Sequence, residues 1–169
     1  MPYEATPSGT SVTRVAAAGA VVVGVDGRVR PVDPLRQSRF KHTMLPWVGD
    51  TVLVIGGTSD DRTLLRSTEV FDPETGTFRP GPRLVNPRYK LDGSAVRLPD
   101  GRVAVAGGGP GAELLDPARP TGTMVAQVPD GLASYGTLSV VGDELWLVGG
   151  YDSRVDLTGR DLRVPLAAL

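Results

Sequence analysis

Short apolar runs, each followed by a turn or a glycine pair, recur along this chain. The clearest example is Ser94 to Gly109, SAVRLPDGRVAVAGGG. Alternating positions predict a first strand, Pro99-Asp100-Gly101 predicts a tight turn, and RVAVA predicts a second strand. The second run is mostly apolar, as expected of a strand covered on both faces, and the glycines end it abruptly. The pattern therefore predicts a β-hairpin.

The same hairpin occurs three times, each time ending in a glycine pair. The second strands read TVLVIGG, RVAVAGG and ELWLVGG, and the first glycines of the pairs are Gly56, Gly107 and Gly149. A more degenerate first copy precedes them and reads AVVVGVDGRVRPVDP. Repeat periods of about 40 to 50 residues are typical of propellers and arrays.

A third strand that ends in Asp-Pro follows the first two glycine pairs. These strands are TEVFDP, ending at Asp72-Pro73, and AELLDP, ending at Asp116-Pro117. The degenerate first copy also ends in Asp-Pro, at Asp33. Proline gives no N–H to a sheet, and the carboxylate accepts hydrogen bonds from the turn that follows. We therefore expect Asp33, Asp72 and Asp116 to be equivalent.

One copy resembles the bacterial kelch repeat. It has a glycine pair, TEVFDPETGTF, and then Gly81-Pro-x-Leu84, with Phe71 and Phe78 where kelch repeats usually have Tyr and Trp. The resemblance covers about Val21 to Val164. It implies an all-β, kelch-like β-propeller of about four four-stranded blades, which is small, partial or completed by another chain. A two-sheet sandwich is the alternative, although it does not require a repeating period.

The domain assignment is an N-terminal extension over 1–11 and a single propeller domain over 12–169. Four blades is the lowest number that ordinarily closes a ring, and an open end would expose apolar blade surface. We therefore expect a homo-oligomer or a subunit of a multi-chain assembly.

Composition narrows the function. Twenty-two Gly and 15 Pro interrupt the chain too often for several helices. Eighteen basic and 19 acidic residues leave almost no net charge, which disfavours nucleic acid and anionic membranes as partners. The chain as given shows no signal peptide and no long apolar run, so we expect a cytoplasmic protein, or a secreted one if the chain is a processed fragment.

The stretch RYKLDGSAVRLPDGRVAVAGGG is also similar to the kelch propeller of galactose oxidase and glyoxal oxidase proteins. In that family two His and two Tyr hold copper, and one Tyr is cross-linked to Cys. This chain has one His and no Cys, and Tyr89-Lys90 stands where the family has Tyr-His-Ser. We therefore predict no copper site and no cofactor.

The loops after the second strands and the segments between blades should open on one face. Arg and Tyr are favoured at recognition hot spots, although ordinary solvated loop residues are the alternative explanation. His42 could serve as a base or a metal ligand, and a structural role is preferred. The predicted binding residues are Arg39, His42, Asp60, Asp61, Arg62, Arg88, Tyr89, Lys90, Tyr135, Tyr151, Asp152 and Arg154.

The remaining motifs carry little chemistry. The acidic stretches TSDD and YDSRVD lack the spacing of a calcium loop, and GGGPG lacks the lysine and serine of a phosphate loop, so no metal site is predicted. The chain is interpreted as a non-catalytic scaffold that binds a protein or a glycan. The alternatives are a propeller lyase or hydrolase that acts on a carbohydrate through loop carboxylate, Arg and Tyr residues, and a metal-free remnant of a galactose oxidase-like protein.

Overall fold

The computed structural model describes residues 18–127, 134–152, 154–157, 159 and 161–169, so the predicted extension over 1–11 lies outside the described residues. Within these ranges the regular structure is β-strand, apart from a short 3-10 helix over Leu166–Ala168. None of the described helical structure is long and apolar enough to cross a membrane. The predicted all-β fold is confirmed, and the sheets described below are consistent with a β-propeller.

The described strands form four antiparallel sheets in chain order, which we name blades I to IV. Blade I is a hairpin, blades II and III have four strands each, and blade IV has three. Within each blade, strands that are adjacent in sequence are adjacent in the sheet. The strands are β1 (Val21–Val23) and β2 (Val29–Pro31) in blade I; β3 (Thr43–Pro46), β4 (Val52–Ile55), β5 (Thr68–Asp72) and β6 (Thr77–Pro80) in blade II; β7 (Ala95–Arg97), β8 (Val103–Ala106), β9 (Ala112–Leu115) and β10 (Thr123–Ala126) in blade III; and β11 (Thr137–Val141), β12 (Glu144–Val148) and β13 (Asp161–Pro165) in blade IV.

Blade I corresponds to the last two strands of a complete blade. The backbone N–H of Arg36, which follows β2, donates to Glu69 of blade II. Val85 follows β6 by the same number of residues, and its backbone N–H donates to Glu113 of blade III. Strand β2 is therefore equivalent to β6. Asp33 consequently lies after a fourth strand and not at the end of a third. The expectation that it is equivalent to Asp72 and Asp116 was wrong.

The core lies between neighbouring blades. Alternate residues of β8 serve two different clusters. Val103 and Val105 pack against residues of blade II such as Leu53, while Ala104 and Ala106 pack against blade IV. All four residues of β8 are fully buried. The mostly apolar run is thus covered on both faces, as its pattern predicted.

The far face of blade IV has a different character. The guanidinium of Arg163 lies 4.0 Å from the centre of the Trp146 ring, and the indole N–H of Trp146 donates to Glu144 at 2.9 Å. Ser139 is paired with Trp146 on the neighbouring strand and is exposed. The face of blade IV that points away from blade III is therefore partly polar.

Candidate functional site

The segments that join the blades run beside the loops that follow the second strands. Phe40 and Thr58 exchange two backbone hydrogen bonds of 3.0 and 2.9 Å, and Ser134 and Tyr151 exchange two of 3.0 and 3.1 Å. Between these pairs, the N–H of Tyr89 donates to the carbonyl of Gly108 at 3.1 Å. The two kinds of loop therefore meet on one face, as predicted.

Three equivalent residues of this face have a left-handed backbone. They are Lys41 with φ of 56°, Lys90 with φ of 56° and Tyr135 with φ of 59°, one from each segment that precedes blades II, III and IV. Residues other than glycine rarely adopt positive φ, and holding one there costs on the order of 1 to 3 kcal/mol. The fold thus holds three large side chains in an unfavourable conformation at the same point of the repeat.

Lys90 lies between two tyrosine rings. Its ammonium is 4.9 Å from the ring centre of Tyr89 and 4.7 Å from that of Tyr151. The Tyr151 ring lies 5.7 Å from the ring of Tyr135, which is 44% exposed. Hydrogen bonding to Tyr151, with a smaller contribution from Tyr89, raises the pKa of Lys90 although partial burial opposes it. Lys90 therefore carries its positive charge at neutral pH.

Lys41 continues the same arrangement towards blade II. Its ammonium lies 5.3 Å from the ring centre of Phe40 and 5.9 Å from that of Tyr89, and it forms an ion pair with Asp61. These contacts collect both lysines and three of the four tyrosines of the chain on one surface. We call it the lysine–tyrosine cluster, and its members are Phe40, Lys41, Tyr89, Lys90, Tyr135 and Tyr151.

Arg39 is buried beneath this surface. Its guanidinium donates to Glu69 at 2.7 Å and to the carbonyls of Gly56 and Ser67 at 2.8 and 3.0 Å. Burial lowers the pKa of Arg39, while the hydrogen bond and the charge of Glu69 raise it.

Arg88 forms the equivalent ion pair in the next blade. It donates to Glu113 at 2.6 Å and to the carbonyls of Gly107 and Pro110 at 2.9 and 2.8 Å. The side chains of Arg39 and Arg88 are both 0% exposed, so they cannot be the surface hot spots that the sequence suggested. Their role is to fix the inter-blade segments on which the lysines sit.

Two carboxylates of the predicted site hold their own loops together. Asp60 accepts from the backbone N–H of Arg62 at 2.9 Å, and Asp152 accepts from those of Arg154 and Asp156 at 2.8 and 3.0 Å. Backbone hydrogen bonds, first from Thr63 and then from Arg62, lower the pKa of Asp60. Arg62 and Arg154 lie in exposed loops and outside the lysine–tyrosine cluster.

His42 lies at the edge of the cluster and is half-buried. Burial and the nearby charge of Arg39 lower its pKa, so the imidazole is neutral at pH 7. Its Nδ1 has no hydrogen-bond partner among the described residues. In the same part of the chain, no three His, Asp or Glu side chains are grouped as metal ligands would be.

The structure thus brings together Asp61, Tyr89, Lys90, Tyr135 and Tyr151 from the predicted residues. Phe40 and Lys41 lie inside the inter-blade segment 39–42 that was predicted on this face, but they were not among the predicted binding residues. A usable signal was present, because the chain has only two lysines and both follow an Arg-aromatic pair, Arg39-Phe40 and Arg88-Tyr89.

Comparison with known families places a match in blade II. Residues 48–84, which contain β4, β5 and β6, match the Kelch motif. A comparison with curated proteins found no relative of significant similarity. The motif supports a kelch-repeat protein, and kelch motifs generally mediate protein interactions. The likeness to galactose oxidase stays a prediction.

Proposed function

We propose that this chain is a non-catalytic interaction scaffold that binds a protein partner through the lysine–tyrosine cluster. The observation that carries the proposal is the repeated left-handed residue, which is Lys41, Lys90 and Tyr135 in three successive inter-blade segments. Residues that are held in sparsely populated backbone conformations cluster at active sites and ligand-binding sites. Here the strained residues lie among aromatic rings on a partly exposed surface.

The chemistry of the cluster suits recognition. Tyrosine brings a large contact area with little loss of conformational entropy, and it donates or accepts a hydrogen bond at its tip. The lysines are held against rings, so less side-chain entropy is lost when a partner binds. The neighbouring carboxylates of Asp60 and Asp152 already accept backbone hydrogen bonds from their own loops. This arrangement supports binding more than acid-base catalysis.

The test is binding by surface variants. The wild-type chain is used as bait in its cells of origin, a candidate partner is purified, and its dissociation constant is measured by calorimetry. Tyr135→Ala and Tyr151→Ala should each weaken binding by about fivefold or more, as expected for aromatic hot spots. Arg163→Ala on the far face of blade IV is the control and should leave the affinity unchanged. A partner that responds to Arg163→Ala, and to neither tyrosine variant, would place the binding surface elsewhere.

A further inference from the structure

Lys41 and Lys90 are equivalent residues with different electrostatic partners. Both have φ of 56°, and both come two residues after a buried arginine. The ammonium of Lys41 is paired with Asp61, which lies in the loop that follows β4 of the same blade. The fold therefore contains an internal example of what a lysine at this position binds, namely a carboxylate.

The loop that would supply a carboxylate to Lys90 is too short and has no acidic residue. It follows β8 and reads GGGPG over Gly107 to Gly111. Arg88 holds this loop through the carbonyls of Gly107, Gly109 and Pro110, at 2.9, 3.3 and 2.8 Å. Among the described residues, no carboxylate contacts the ammonium of Lys90, whose neighbours are tyrosine rings.

The loop that begins at Tyr151, whose ring contacts Lys90, carries exposed apolar residues. Leu157 pairs with Tyr151 through a β-bridge, as Leu64 pairs with Thr58 in blade II. Leu64 is half-buried, whereas Leu157 is 91% exposed and Val155, in the same loop, is 69% exposed. Lys90, which contacts no carboxylate in the described part of the chain, is thus linked through Tyr151 to a loop that exposes two apolar side chains.

We propose that Lys90 binds a carboxylate of an acidic peptide segment in the protein partner, in the way that Lys41 binds Asp61. Leu157 and Val155 would contact an apolar side chain of the same segment. The charge complementarity selects the carboxylate, and the exposed leucine and valine favour a peptide over an acidic polysaccharide. This inference rests on the proposed function and specifies the chemistry of the partner.

The test uses a displayed library of random 12-residue peptides selected on the full chain. Enriched peptides should contain Asp or Glu near an apolar residue, and their affinities are measured by fluorescence anisotropy. Lys90→Gln should weaken binding about tenfold, the size expected for a hydrogen bond to a charged group. Lys41→Gln is the comparison variant, because it removes the same side chain from the same backbone conformation but one that is already paired with Asp61, and it should weaken binding less than Lys90→Gln does. Arg163→Gln on the far face of blade IV is the control and should leave the affinity unchanged.

A peptide change completes the test. Replacing the acidic residue by its amide should weaken binding to the wild type and have little further effect on Lys90→Gln. Enriched peptides that lack acidic residues, yet lose affinity with Tyr135→Ala, would overturn the inference and leave the proposed function intact. Equal losses with Lys90→Gln and Lys41→Gln would also overturn it. So would Lys90-dependent binding of hyaluronan, a polysaccharide with carboxylates, without enriched peptides.

Discussion

The buried pair of Arg88 and Glu113 gives the sharpest test of how the inter-blade segments are held. In Glu113→Leu the guanidinium of Arg88 remains buried without a counter-charge, and the N–H of Val85 loses its acceptor. Removing one partner of a buried ion pair costs about 3 to 5 kcal/mol. Arg88→Met should cost a similar amount, because Glu113 and the carbonyls of Gly107 and Pro110 lose their donor.

The double variant should be less destabilised than the sum of the two single variants. Blade IV shows that a blade can lack both partners of this ion pair. Leu162 pairs with Leu147 where Glu113 pairs with Val105, and the sequence has Ala133, which is outside the described residues, two positions before Tyr135. Both partners of the ion pair are therefore replaced together in that blade.

The assay is the free energy of unfolding from urea titrations of the wild type, both single variants and the double variant. We expect a coupling energy of about 2 kcal/mol or more, since removing both charges avoids the unpaired one. The uncharged double variant still leaves the N–H of Val85 unpaired, so it should remain less stable than the wild type. Single costs under about 1 kcal/mol, or additivity within about 0.5 kcal/mol, would refute the reasoning.

Three further predictions concern the glycines and the titrating groups. Gly56→Ala should reduce the free energy of unfolding, measured in urea titrations, by about 2 kcal/mol more than the equivalent Gly149→Ala does. The new Cβ would lie 2.6 Å from a backbone oxygen at position 56, whereas it meets nothing within 4 Å at position 149. The backbone strain is similar in both variants, because φ is 59° and 71°. Folding lowers the pKa of His42, so the contribution of the neutral imidazole to stability is fully present above the ordinary pKa of 6.5 and is lost as the pH falls below it. His42→Gln should remove this part of the pH dependence of the free energy of unfolding. An unchanged pH profile would contradict the prediction. The hydrogen bonds of Arg102 lower the pKa of Asp100, so the stability lost in Asp100→Ala should be complete above pH 3.8 and shrink at lower pH as the carboxyl protonates, and a difference that grows in acid would contradict it.

The hairpins and their glycine pairs were predictable because they depend on local chemistry. A run such as RVAVA fits a strand covered on both faces, and a following glycine with positive φ ends it. Gly56 shows why the residue is needed, since its position lies against the carbonyl oxygen of Arg88 from the next inter-blade segment. The equivalence of β2 to β6 was missed, because an Asp-Pro pair can follow either a third or a fourth strand.

The burial of Arg39 and Arg88 could not be predicted from local pattern. Arginine is rarely fully buried unless it is paired, and the partners here, Glu69 and Glu113, lie 30 and 25 residues further along the chain. Both glutamates sit inside apolar strands, at TEVFD and AELLD, where an acidic residue on a covered face signals a buried cation. That signal was available and points to the pair once the blades are stacked.

The far face of blade IV has polar side chains at positions where blade II has apolar ones. At the position of Leu53 in blade II, blade IV has Trp146. The cross-strand neighbours differ as well, because Leu45 and Val70 flank Leu53, whereas Ser139 and Arg163 flank Trp146. An apolar row that packs against the next blade is thus replaced by a polar one. The expected oligomer stays a prediction.

Restoring the interior pattern on this face should therefore create an interface. In Ser139→Leu/Arg163→Val the row would resemble that of blade II, and the Trp146 ring would lose the guanidinium that covers it. Exposed apolar patches of this kind drive association, so we expect a larger mass than that of the wild type in sedimentation velocity at micromolar concentration. Ser139→Thr/Arg163→Lys keeps the polarity and should sediment as the wild type does. If the apolar variant also sediments as the wild type does, the polar row is not what keeps this face from associating.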